Sequence, residues 1–190
     1  MATDTRERLL RTTAQLLRER GVASTGMLDV VAASGAPKGS LYFHFPGGKE
    51  QLVAEALQQT GADMCELMKM ALDSSKSAKT GLANIFAFLS AELASSSFKV
   101  GCPMGTVAAE APDLPQVRER LGEIVVMWHS VVKNRLIKAG AKPARADDLA
   151  ELFLSIVEGA IVVAKARRST RSLEVAQKEI ARLLKNEGLT

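Results

Sequence analysis

The chain has 190 residues, of which 47% are hydrophobic and 24% charged, so it can bury a sizeable core and intrinsic disorder is excluded. Its net charge of +4 allows a polyanionic partner without requiring one, and it splits equally though more densely in the first part: residues 1–50 hold 7 Lys+Arg against 5 Asp+Glu, residues 51–190 hold 18 against 16. Two cysteines give neither a disulfide framework nor metal spacing; the polar start and the lack of any apolar run near ~20 residues point to a soluble, cytoplasmic chain without signal peptide or membrane span.

Aromatic residues are scarce at 4%, while Ala, Leu, Val and Met abound in runs of helical period, which predicts an all-α fold. The first helix is expected over Asp4–Arg20. Asp4 and Glu7 form a capping pair, Leu9, Leu10, Leu16 and Leu17 form the apolar stripe, and Gly21 is the stop. Arg6, Arg8, Arg11 and Arg18 lie off the stripe, as a solvated face or as phosphate contacts. Thr25 is the expected N-cap of a second helix that runs to Ser34, with Ala32 and Ala33 suited to close packing. Gly35 ends it, and a short helix follows from Pro37 to Phe43. Leu41 and Phe45 are expected to face the core, leaving Lys38, Gly39, Ser40, Tyr42 and His44 outward. Helix, tight corner and short helix make the layout of a helix-turn-helix, which places its second helix in the major groove of DNA.

Pro46-Gly47-Gly48 breaks the chain, and Lys49 opens a long helix to about Leu72 whose N-terminus suits a phosphate. After a polar loop, helices are expected over Thr80–Ser95, Gly105–Ala111, from an Asp113 cap to Ala139, Ala144–Arg168 and Ser172–Asn186. Pro112 closes the short one. The helix from Ala144 is apolar nearly all round between Leu149 and Ala164, the mark of a helix buried on every side, one side against a second subunit. That places a dimer interface on Leu154, Glu158, Ile161, Val162 and Lys165, with Val175, Ile180 and Leu183 of the last helix. Met64, Met68, Met104 and Met127, with Phe86, Leu89, Trp128, Phe153 and Val157, fall on several segments as a greasy pocket with an adaptable wall. Cys102, in a Gly-Cys-Pro turn, joins this lining, with a redox-sensing thiol as the rival reading. His44 lacks partners at ligand spacing, so no metal is expected; His129 reads as a core or surface histidine. No paired carboxylates, nucleophile elbow or phosphate-cradling loop appears, so no enzyme and no cofactor are expected.

The run Thr25, Val30, Ala32, Ser34-Gly35, Lys38-Gly39-Ser40-Leu41-Tyr42, His44-Phe45 and Lys49-Glu50-x-Leu52 resembles the TetR family of bacterial repressors. SGAPKGSLYFHFPGGKEQL and GCPMGTVAAEAPD add a narrower likeness to the subgroup of the lincomycin-resistance operon repressor. The resemblance implies about nine helices, a DNA-binding domain over residues 1–50, a ligand-binding and dimerisation body over 51–190, and a homodimer on double-stranded operator DNA. It puts base contacts on Lys38, Ser40, Tyr42 and His44 and phosphate contacts on Thr25 and Lys49, with Pro37 and Gly39 on the same surface. Pro37 and Val31 depart from the family's usual Ser/Thr and Ala. The implied function is a repressor released by a small hydrophobic effector, controlling efflux or detoxification genes. The alternatives are a thiol-responsive repressor and a helical small-molecule binder without regulated DNA binding.

Overall fold

The computed structural model describes residues 2–110 and 113–189. Among them are nine helices and no strand: α1 (Ala2–Arg20), α2 (Met27–Ser34), α3 (Lys38–His44), α4 (Gly48–Asp73), α5 (Ala78–Ser95), α6 (Pro103–Glu110), α7 (Pro115–Lys138), α8 (Pro143–Arg167) and α9 (Arg171–Asn186). None is long and apolar enough to cross a membrane.

Several helix starts differ from expectation. α1 is already helical at Ala2, so Asp4 sits within the first turn, favourable to the dipole, rather than at the cap. Thr25 does not cap α2. Gly21 turns the chain left-handed (φ +75°), and the buried Thr25 hydroxyl donates to its carbonyl at 2.6 Å. Gly26 is the N-cap instead, and Asp29 accepts its N–H at 3.2 Å. Ala32 and Ala33 are exposed rather than packed against a helix. Pro37 is the N-cap of α3, whose Ser40 N–H reaches the Pro37 carbonyl at 2.9 Å. Ser77 caps α5 by accepting from Thr80 N–H at 3.2 Å. α7 begins at Pro115, two residues after Asp113, because proline suits a first helical position where its missing N–H costs nothing. The expected close of α6 at Ala111-Pro112 lies outside the described residues.

Packing divides the chain into two compact units. Unit 1 runs to Asp63 and takes in Cys102–Ile124, so the boundary expected near residue 50 falls inside it. Here α1 packs on α2, α3 and α6, and α2 on α3, around the fully buried Leu9, Leu17, Leu41, Phe45, Leu52 and Leu57. Unit 2 holds Met64–Gly101 and the chain from Val125 onward. In it α5, α8 and α9 pack on one another around Leu82, Phe86, Phe153 and Leu173, the Phe86 and Phe153 rings meeting edge to face at 5.4 Å. Arg135 of α7 donates to the Leu72 and Ser75 carbonyls at 3.3 and 3.4 Å, satisfying carbonyls left open where α4 ends. α4 and α7 are each continuous through a unit boundary.

α8 is not buried on every side within the chain. Leu149, Ala150, Phe153, Val157, Ala160, Ile161 and Ala164 face inward, while Leu152, Val162 and Val163 are 40%, 62% and 39% exposed.

Candidate nucleic-acid interface

The α2–α3 corner is built from local chemistry. Gly35 ends α2 in the left-handed region (φ +65°) with open space around it, so its backbone conformation is what calls for glycine. Ser34 Oγ donates to the Val31 carbonyl at 3.1 Å and accepts from Ala36 N–H at 3.3 Å, closing the corner. α3 is anchored by Leu41, 1% exposed, and by Phe45, whose N–H reaches the Leu41 carbonyl at 2.8 Å.

The far end of α3 is braced by a polar chain. Gly47 N–H donates to Gln51 Oε1 at 2.8 Å, and Gln51 Nε2 donates to Glu55 Oε1 at 2.9 Å. Glu55 also pairs with Arg6 of α1, and the Arg6 guanidinium lies 5.3 Å from the centre of the Phe45 ring. Arg6 is therefore spoken for within the unit rather than extended toward a phosphate. Arg11 pairs with Glu7 at 2.9 Å and Arg20 with Asp29 at 3.2 Å.

Two carboxylates tie α6 and the start of α7 to the same unit. Glu110 accepts from Ala23 N–H at 3.1 Å, in the turn between α1 and α2. Glu50, in the first turn of α4, accepts from Gln116 N–H at 2.8 Å and satisfies a free donor at the start of α7. Neither contact was legible in the sequence, since the partners stand 87 and 66 residues apart.

Of the predicted DNA-contacting residues, Pro37, Lys38, Gly39 and Tyr42 are exposed, and Ser40, His44 and Lys49 are half-buried on the same short stretch. Thr25 is not on this surface as placed, being 2% exposed and turned toward Gly21. Two large apolar side chains of the same region that were not among the predicted contacts also stand exposed, Phe43 at 78% and Leu28 at 67%. For Phe43 a signal existed: it stands two residues from Leu41, close to the opposite side of a helix.

The predicted effector-lining residues divide between the units. Met68, Phe86, Trp128, Phe153 and Val157 are buried in unit 2 and Met64, Leu89 and Met127 half-buried there, whereas Cys102 and Met104 belong to unit 1. Unit 2 holds a cavity of ≈ 200 Å³ lined by Lys69, Leu72, Asp73, Val131, Asn134, Arg135 and Lys138, none of them in that set. Of the predicted interface residues, Val162 and Val175 are exposed at 62% and 42%. Leu154, Glu158, Lys165 and Leu183 are half-buried, and Ile161 and Ile180 are buried within the chain itself. Burial pushes the Cys65 thiol above its ordinary range, with Lys69 opposing that shift. Among the described residues no group of three or more His, Cys, Asp or Glu side chains is placed to hold a metal ion.

Residues 9–56 match the family described as bacterial regulatory proteins, tetR family. The chain is 35% identical over 189 residues to an HTH-type transcriptional regulator of Mycobacterium tuberculosis, covering 94% of this chain and 93% of that one. It also superposes on a TetR regulatory protein from Rhodobacter sphaeroides with a TM-score of 0.85 at 25% identity, over 93% of this chain and 96% of that one. The chain belongs to the TetR family of bacterial transcriptional regulators, whose members regulate transcription and are not enzymes. Within the family, residues 78–179 match the C-terminal domain of LmrA/YxaF-like transcriptional regulators, and the chain is 31% identical over 175 residues to LmrA of Bacillus subtilis, over 91% of this chain and 93% of that one. The same fold, at TM-score 0.78 and 22% identity over 93% of this chain and 94% of that one, occurs in a cysteine mutant of the TetR family regulator CifR, solved with a 26-bp double-strand operator DNA.

Proposed function

We propose that the protein is a homodimeric repressor that grips operator DNA with α3 and the start of α4, and that a small hydrophobic effector in its helical body releases it. Efflux or detoxification genes are the proposed targets. The observation that carries the DNA half is α3 itself: Leu41 anchors one side, and Lys38, Gly39 and Tyr42 stand exposed on the rest. Lys38 and Ser40 offer hydrogen bonds to base edges, while Lys49 and the positive dipole end of α4 suit a phosphate. The operator-bound CifR supports this use of the fold.

The dimer rests on α8 and α9. Leu152, Val162, Val163 and Val175 are large apolar side chains that one copy leaves exposed, and a second copy would cover them. Two α3 helices would then read half-sites one helical turn of DNA, about 34 Å, or a multiple apart. The effector site rests on Met68, Phe86, Trp128, Phe153 and Val157, with Met supplying an adaptable wall. Such an effector releases DNA only by as much as it prefers the released state.

The test combines two measurements on the full-length protein. Fluorescence anisotropy compares a duplex from its own upstream region with a random duplex at one salt concentration, and light scattering gives the mass in solution. Preferential binding by a particle of twice the chain mass is expected. Equal binding to both duplexes would sink the DNA half, and a monomer at the concentration that saturates DNA would sink the dimer.

A further inference from the structure

We propose that Phe43 is the centre of the base-reading surface and that it recognises the C5 methyl group of thymine. This rests on the assignment of α3 as the DNA-reading helix and adds the residue and the chemistry that it selects. At about 100° of turn per residue, Gly39 and Phe43 each lie roughly 160° from Leu41, one on either side of the pole opposite it. Leu41 is 1% exposed and points into the unit, so Gly39 and Phe43 are the two positions that project furthest from its core. Ser40 and Tyr42 take the flanks at about 100° from Leu41, and Lys38 and His44 lie roughly 60° from it.

The exposures agree with this geometry. Phe43 is 78% exposed, the highest value among the exposed large hydrophobic residues, and its neighbour Tyr42 is 62% exposed. Gly39, one turn before Phe43, has nothing within 4 Å of the place a Cβ would occupy. The centre line of α3 is thus a step at Gly39 followed by a phenyl ring, with the His44 ring edge-on to that phenyl at 5.0 Å. An isolated apolar side chain on a surface carries no message. This one stands at the middle of the face that a reading helix presents to the groove, with room beside it for a base edge.

Phenylalanine has no donor or acceptor, so it cannot read the N7, O6, N6 or O4 groups that hydrogen-bonding side chains read. The apolar group that a base pair offers in the major groove is the thymine C5 methyl. The occupant is therefore an A·T pair with its methyl turned to Phe43, and recognition at that position rests on removing apolar surface from water.

The experiment selects tight-binding duplexes from a random-sequence pool on the full-length protein. Each thymine of the selected half-site is then replaced by deoxyuridine, which removes the methyl and leaves the pairing intact. At one salt concentration, wild-type protein is expected to bind about three- to fivefold more weakly when one particular thymine per half-site loses its methyl. Phe43→Ala is expected to bind the parent duplex about tenfold more weakly, to give the same affinity with thymine and uracil at that position, and to melt at the wild-type temperature because the ring is exposed. Phe43→Leu retains the thymine preference. Half-sites without an A·T pair, no position sensitive to the methyl, or unchanged sensitivity in Phe43→Ala would each overturn the proposal while leaving the DNA-reading assignment intact. A pool that yields no duplex bound above random DNA would overturn that assignment and this inference with it.

Discussion

At Gly21 the backbone takes φ +75°, and the Glu110 carboxylate lies within 2.2–2.6 Å of where a Cβ would sit. An alanine there meets an unfavourable backbone conformation and displaces the carboxylate that holds Ala23 N–H. Gly21→Ala is therefore expected to cost about 1–2 kcal/mol in urea unfolding. Part of that loss should vanish in a Glu110→Ala background; equal losses in both backgrounds would remove Glu110 from the account. A second residue, Asp147, is held below the ordinary carboxylate range first by a hydrogen bond from Lys133 and next by the Lys133 charge, with burial opposing. A depressed folded value means that the stabilisation is present above the unfolded carboxylate's pKa of about 3.9 and is lost as pH falls through the folded value. Asp147→Asn should thus lower the melting temperature slightly at pH 7 and leave it unchanged once the pH is below both values. The pair is exposed, so the effect is small.

Among the elements, α4 and α7 cross within unit 1 at Gly61, where a Cβ would come within 2.7–2.8 Å of Ile124 side-chain carbons. Gly61→Val should overpack this crossing and cost about 1–3 kcal/mol by denaturant midpoint, and Ile124→Ala should recover part of it. At the start of α4, Lys49→Ala should weaken binding to all duplexes alike and reduce the slope of log affinity against log salt by about 1. These helices illustrate what the sequence could convey. α4, α5, α7, α8 and α9 were legible because apolar period is a local property, and Leu41 and Phe45 fell on the core side as expected. Thr25 was misplaced because its hydroxyl could serve a helix start or a free carbonyl, and only the turn at Gly21 decides between them. The carboxylate contacts of Glu110 and Glu50 join segments far apart in sequence, and no local pattern announces them. Phe43 carries no hydrogen-bonding group to mark it as a DNA contact in the sequence, although its angular position opposite Leu41 on α3 is a local property.

For the whole molecule, the apolar side chains left exposed on α8 and α9 matter most. If they form the interface between two copies, Val162→Glu places a charge in it and should shift the protein toward monomer in light scattering. Operator binding should weaken by an order of magnitude or more, since each copy would then hold a half-site alone. A dimer unaffected by Val162→Glu would move the interface elsewhere. The claim on which the rest depends is that α3 reads base sequence. It is tested most directly by the ratio of affinities for a selected operator duplex and a scrambled duplex of the same length at one salt concentration, for the wild-type protein and for Lys38→Ala/Tyr42→Ala. The account predicts a wild-type ratio of ~10³ or more that collapses toward unity in the variant, with affinity for the scrambled duplex falling far less. A ratio near unity in the wild type, or one that survives in the variant, would contradict it.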